Sequence, residues 1–248
     1  MARRATAIKR ERANGVPLLL VDAGNSLTGD RPPANTTQGA TTIEYMNLMG
    51  YDAMTLGQAD LKLGREALAQ RIAESDFALL SANAVFSGTT ELIAPAYITR
   101  AMDGHRVAIV GLTGTWDPHP PADFAILDPL ETVKKIIPEV AAQADIIIVL
   151  SEAGNPTDLK LVQAAPDIDL IVEGGQFQSF GRSSYDQATN TLFVHTDYPA
   201  RGHAGRNLGK ATVDFDAAGD IVAQSWQLIP LDPNMPDDPD MAQWRATK

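Results

Sequence analysis

The chain has 248 residues, of which 44% are hydrophobic and 21% charged, enough to bury a sizeable core as one large domain or two small ones. A formal net charge of -11 argues against binding to a phosphate backbone, so no nucleic-acid partner is expected. The absence of cysteine rules out thiolate metal sites, disulfides and thiol nucleophiles, and no apolar run approaches the roughly 18–20 residues of a membrane span.

Residues 3–13 mix Arg, Lys, Glu and Ala, end at Asn14-Gly15, and predict a surface helix. The basic start, Met1-Ala2-Arg3-Arg4, has no apolar segment behind it, so it does not read as a signal peptide. Pro17-Leu18-Leu19-Leu20-Val21 is a short continuous apolar run, the pattern of a strand covered on both faces. A Gly/Pro/Asn/Thr loop occupies residues 25–37, and a helix follows over about 38–49, closed by Gly50. Asp52 to Leu56 reads as the next strand, Gly64 to Ser75 as a helix, and Phe77 to Leu80 as a third strand.

Ile93 to Leu112 predicts a hairpin turning at Met102-Asp103-Gly104. Asp128-Pro129-Leu130-Glu131 starts a helix, with a capping Asp, a first-turn Pro and a Glu three residues after the cap. Pro138 lies inside that helical pattern and predicts a kink or an early stop. Asp145 to Leu150 is the strongest buried-strand pattern in the chain; a helix over about 157–165 and a strand over Ile168 to Val172 follow. From Thr191 the pattern changes to β runs, among them Ala211 to Phe215 and, across the turn Ala217 to Asp220, Ile221-Val222. Alternating βα units followed by hairpins predict one layered α/β domain over 1–229, and the Pro- and Asp-rich segment 230–248 reads as a linker or extended arm.

Two turns stand out. Val21-Asp22-Ala23-Gly24-Asn25-Ser26 and Leu56-Gly57-Gln58-Ala59-Asp60 each sit where an apolar run gives way to a Gly-containing turn, the place where open α/β sheets hold their chemistry. Both resemble signature turns of the calcineurin-like metallophosphatases in the branch containing the 5′-nucleotidases, which write them as Asp-Ala-Gly-Asp and Gly-Asn-His-Glu. Glu44 to Gly57, Val110-Gly111-Leu112-Thr113, Val149-Leu150-Ser151 and Ile168 to Gly175 follow in the family's order. The resemblance implies a four-layer α/β/β/α sandwich whose strand-end loops converge on two metal ions. The family's opening Asp-x-His strand is absent from the chain as given.

Carried over position by position, the resemblance implies a changed site. Asn25 stands for the bridging Asp, Gln58 for the metal-binding Asn, Ala59 for the catalytic His and Asp60 for the Glu that follows it. Glu152 stands for the His after Val-Leu-Ser, and Gln176 and Gln178 for the two closing His residues. Primary amides are weak ligands for a pair of transition-metal dications, and Ala59 has no proton to donate. Hence no catalytic residue and no cofactor are expected, the pocket reading as a hydrogen-bonded polar network. The alternative is a phosphoesterase with a single Mg²⁺ or Ca²⁺ at Glu152, assisted by Asn25. The first reading makes the chain a pseudoenzyme, acting in binding or within a larger assembly with protein partners. The family further suggests a periplasmic or extracytoplasmic location. Arg201, His203 and Arg206, in a Gly-containing loop, are a possible anion-binding segment.

Overall fold

In a computed structural model, residues 1–29, 32–115, 120–175, 181–196 and 205–248 are described. Helix α1 (Ala2–Arg12) leads to strand β1 (Val21–Asp22), helix α2 (Ala40–Met49), strand β2 (Ala53–Thr55), a 3-10 turn at Asp60–Leu63, helix α3 (Gly64–Glu74) and strand β3 (Ala78–Leu80). Strands β4 (Ala84–Phe86), β5 (Tyr97–Met102), β6 (His105–Leu112) and β7 (Phe124–Ile126) precede helix α4 (Pro129–Ala141). Then come β8 (Ile146–Ser151), α5 (Asn155–Ala164), β9 (Leu170–Glu173), β10 (Arg182–Asp186), β11 (Thr191–His195), the hairpin β12 (Asn207–Phe215) and β13 (Ile221–Pro230), and α6 (Pro239–Ala246).

The strands form a three-stranded parallel sheet β1-β2-β3, a six-stranded sheet ordered β10-β11-β9-β8-β6-β5, and the pairs β12-β13 and β4-β7. Parallel pairing joins β6, β8, β9 and β11, whereas β5 and β10 run antiparallel at the two edges. Three apolar cores separate four layers. One lies between β2, β3 and the helices α1, α2, α3 and α6. A second fills the space between the two sheets and takes in the β12-β13 hairpin, and a third lies between the six-stranded sheet and α4 and α5.

The period-2 alternation of strand side chains explains how one sequence run serves two cores. Along β8, Ile146, Ile148 and Leu150 enter the inter-sheet core while Ile147 and Val149 enter the helix-side core. Burying each such aliphatic side chain contributes about 1.5–3 kcal/mol, so a strand apolar on both faces is held firmly at the centre.

The sequence expectations are revised at three helices. Pro138 neither kinks nor stops α4, which runs through it to Ala141. Pro138 and Lys134 lie on the exposed face, so the carbonyl left without its N–H partner is on the water side. Helix α1 is less a surface helix than a docked one, with Ala2, Ala5, Ala7 and Ile8 buried. Its Arg12 closes the end of α2 by donating to the carbonyls of Met49 and Gly50 at 2.6 and 2.7 Å. The segment read as an extended arm contains α6, capped by Asp238 Oδ1 accepting from Met241 N at 3.0 Å and started by Pro239. Trp244 of α6 stacks obliquely on Tyr45 and donates Nε1–H to Glu44 at 2.7 Å, while Lys9 of α1 reaches Asp238 at 2.6 Å.

Candidate functional site: a buried amide–carboxylate junction at the strand ends

The carboxyl ends of β1, β2, β6, β8 and β9 open on one side of the molecule, and the turns that leave them carry the candidate residues. Gly24 and Asn25 leave β1 with φ of 99° and 62°. Asparagine is among the few residues that visit this left-handed region routinely. The turn presses onto its neighbour so closely that a Cβ on Gly57 would stand 2.3 Å from Asn25 Oδ1, so only glycine fits there.

Glu152, fully buried just past β8, receives the converging turns. Its Oε1 accepts from Asn25 Nδ2 at 2.6 Å, and its Oε2 accepts from the backbone N–H of Gln58 at 3.0 Å and of Gly114 at 2.8 Å. The other side of the same amide, Asn25 Oδ1, accepts from Ala59 N at 2.8 Å. Three N–H donors thus surround a carboxylate withdrawn from water, the usual condition for holding buried negative charge.

Asp60 ties the two turns together from behind. Its Oδ2 accepts from Asn25 N at 2.8 Å and Gly57 N at 2.9 Å, and its Oδ1 from Leu27 N at 2.9 Å. Complete burial pushes its carboxyl up to about 7, against the pull of those three backbone donors. Asp22 is raised for the same reason, countered by Gly24 N–H and the Ser26 hydroxyl.

The resemblance implies one site for Asn25, Gln58, Ala59, Asp60 and Glu152, and the fold brings all five together. Gln176, Gln178, Arg201 and His203 lie outside the described residues. Arg206 stands at the foot of β12, where its carbonyl accepts from Leu231 N at 2.7 Å. Residues not anticipated are Gly114 and its support, Asn83. The Asn83 side chain accepts from Thr113 N at 2.8 Å and donates to the carbonyls of Thr113 at 2.8 Å and Leu127 at 3.0 Å. Its signal was positional: Ser81-Ala82-Asn83 leaves β3 as the other two turns leave β1 and β2.

Beneath Glu152 is a second polar cluster. Ser151 Oγ donates to Asp158 Oδ1 at 2.5 Å, and Asn155 Nδ2 donates to Glu173 Oε1 at 2.7 Å. Burial raises both carboxyls, and the charge of Glu173 raises Asp158 further. His195 is buried beside them, with Nδ1 2.8 Å from the Glu173 carbonyl.

The chain with this geometry is similar to a snake venom 5′-nucleotidase from Gloydius brevicauda, 27% identical over 97% of this chain and 44% of the relative. It is likewise 28% identical to a 5′-nucleotidase from Bos taurus, over 99% of this chain and 47% of the relative. Among solved structures, a 5′-nucleotidase precursor from Thermus thermophilus superposes with a TM-score of 0.86 at 26% identity, over 99% of this chain and 52% of the other. No family model matches. The chain spans about half the length of these relatives. Its homologues are 5′-nucleotidases and metallophosphoesterases, and its fold is that of the 5′-nucleotidase amino-terminal domain in the calcineurin-like superfamily.

These relatives correct the expectation of no cofactor: they are phosphoesterases of a metal-dependent class, so a divalent ion belongs with this fold. The donor set decides which ion the present residues fit. Among the described residues no group of three or more His, Asp and Glu side chains converges, so a pair of dications does not fit. Glu152 is a hard-oxygen donor of the kind Mg²⁺ and Ca²⁺ accept. Its two oxygens are held by N–H groups of Asn25, Gln58 and Gly114, and Asn25 Oδ1 is held by Ala59 N.

Proposed function

We propose that this chain is a 5′-nucleotidase-like phosphoesterase domain that acts with one weakly held divalent ion, Mg²⁺ or Ca²⁺, at Glu152. The observation that carries the reading is the convergence of Asn25, Gln58 and the buried Glu152 carboxylate at the strand ends of a 5′-nucleotidase fold. A bound ion would supply Lewis-acid polarisation of a phosphoryl oxygen. The chain's own residues do the rest. Asp60 fixes both turns through three backbone N–H groups, and Gly114 orients Glu152. Ala59 offers no proton to a leaving group, so turnover should be about 10²–10⁴-fold below that of an enzyme with a positioned acid.

A second reading, a catalytically degenerate domain that binds phosphoesters or protein partners without hydrolysing them, is favoured by one contact. Asn25 points an N–H donor into Glu152, where a cation would need an oxygen. One experiment separates the two: phosphomonoester turnover by the purified chain across added Mg²⁺ and Ca²⁺, beside the Glu152→Gln variant. Saturable, metal-dependent turnover that is lost in the variant supports the hydrolase, and binding without turnover supports the degenerate domain. An extracytoplasmic location belongs to the same proposal, supported by a relative named for venom. Among the described residues no helix is long and apolar enough to cross a membrane.

A further inference from the structure

Strand β10 forms one edge of the six-stranded sheet and pairs in unbroken register with β11, from Arg182 opposite His195 to Asp186 opposite Thr191. Among the described residues no strand pairs with its other side. Natural sheets guard such edges with Lys, Pro, a bulge or a covering element. At the opposite edge, Arg100 of β5 folds back onto Asp52 with Nη1 2.6 Å from Oδ1. The β10 edge has no Lys, no Pro and no bulge, and its first four residues are exposed.

The sequence of β10, Arg182-Ser183-Ser184-Tyr185-Asp186, is complementary to itself when read antiparallel. With Ser184 opposite its own copy, Arg182 of each chain stands opposite Asp186 of the other, and Ser183 opposite Tyr185. Residues 182, 184 and 186 share a face by the period of two, so both charge pairs form on one side of the joined sheet. That side is the helix side, because Ser184 stands opposite Phe193, which packs into the core beneath α4 and α5. Leu159 of α5, 43% exposed, and Tyr185, 37% exposed, flank the same edge and would be covered.

We propose that β10 is a self-association edge, through which two copies of this chain join their six-stranded sheets about a two-fold axis at Ser184. Such an interface is isologous, each patch complementing itself. Five paired residues and two flanking apolar side chains make a small contact, so the dimer is weak and forms reversibly with concentration.

Sedimentation equilibrium of the whole chain, over a wide range of protein concentration, tests this. A monomer–dimer equilibrium is expected. Asp186→Arg, which sets Arg against Arg at both ends, should weaken dimerisation by about tenfold or more. The double exchange Arg182→Asp with Asp186→Arg restores the opposite-charge pairs and should recover the parent affinity. Ser183→Pro removes an outward-facing backbone donor beside the centre, Ser184 N–H being turned onto Phe193 of β11, and should abolish the dimer. A strictly monomeric parent would overturn the proposal. So would a dimer indifferent to Ser183→Pro, or one that Asp186→Arg weakens and the double exchange fails to restore.

Discussion

Asn25 donates its amide Nδ2–H to Glu152 Oε1 at 2.6 Å, across the gap between the ends of β1 and β8. An amide donor there helps balance the buried carboxylate charge. Asn25→Asp would remove that donor and set a second carboxylate in its place. The lost hydrogen bond and the repulsion should cost about 2–4 kcal/mol, lowering Tm by roughly 5–15 °C in a domain of this size. Millimolar Mg²⁺ should restore most of the loss, since a dication neutralises the pair. Thermal melts of parent and variant, with and without Mg²⁺, check both parts. A variant melting like the parent in the absence of the ion would show that Asn25 does not balance Glu152.

Asp60 accepts three backbone N–H groups with two oxygens, and an amide offers only one. Asp60→Asn therefore leaves at least one buried N–H without a partner, at about 1–3 kcal/mol each. The urea midpoint should fall with little change in slope, because the surface exposed on unfolding is unchanged. Both turns of the site should also lose protection from hydrogen exchange, whereas α4 and α5 should not.

Asp169, mostly buried beside β8, accepts from Ile147 N at 2.7 Å, and its carboxyl is pushed up to about 6 by burial, with Asp220 and Asp167 adding to the rise. Its folded-state value thus lies above the unfolded value of about 3.9. The folded chain binds the proton more tightly, so this residue's contribution is present below about pH 4 and is lost as pH rises through about 6. Asp169→Asn keeps an acceptor for Ile147 and should flatten the fall in stability across that window, by about 3 kcal/mol at most. Denaturant titrations of the two proteins at several pH values within the window measure the difference. Parallel curves would show that Asp169 does not titrate there.

Helix α6 is held by the Asp238 cap, the Lys9–Asp238 pair at 2.6 Å, and Trp244 against Tyr45 and Glu44. Asp238→Ala removes the cap and the ion pair together and should cost about 1–2 kcal/mol. The loss should appear as faster exchange and earlier proteolysis of residues 236–248, with the six-stranded sheet unaffected. Equal protection of α6 in parent and variant would mean that Trp244 and Met241 hold it unaided.

The strands were legible because their signal is local. Ile146 to Leu150 is apolar at every position, a pattern that only a strand buried on both faces satisfies over so short a run. Helix α4 was legible through Asp128 and Pro129, whereas Pro138 misled because its cost depends on whether the orphaned carbonyl meets water. The same Asp-Pro signature at Asp238-Pro239 announces α6, but the prolines around it suggested an extended arm.

What the sequence showed by itself was the βα alternation and the Gly-containing turns at the strand ends, because strand periodicity and turn chemistry act over a few neighbours. The four layers and the grouping of Asn25, Gln58, Ala59, Asp60 and Glu152 were what the family resemblance implied. What only the tertiary structure decided was how those residues bond: that Asp60 grips the backbone of Asn25, Leu27 and Gly57, that Gly114 joins the site, and that Glu152 sits among N–H donors. Most of those contacts join residues dozens of positions apart. Their energies come from burial and from the direction of each N–H, neither of which exists until the layers close.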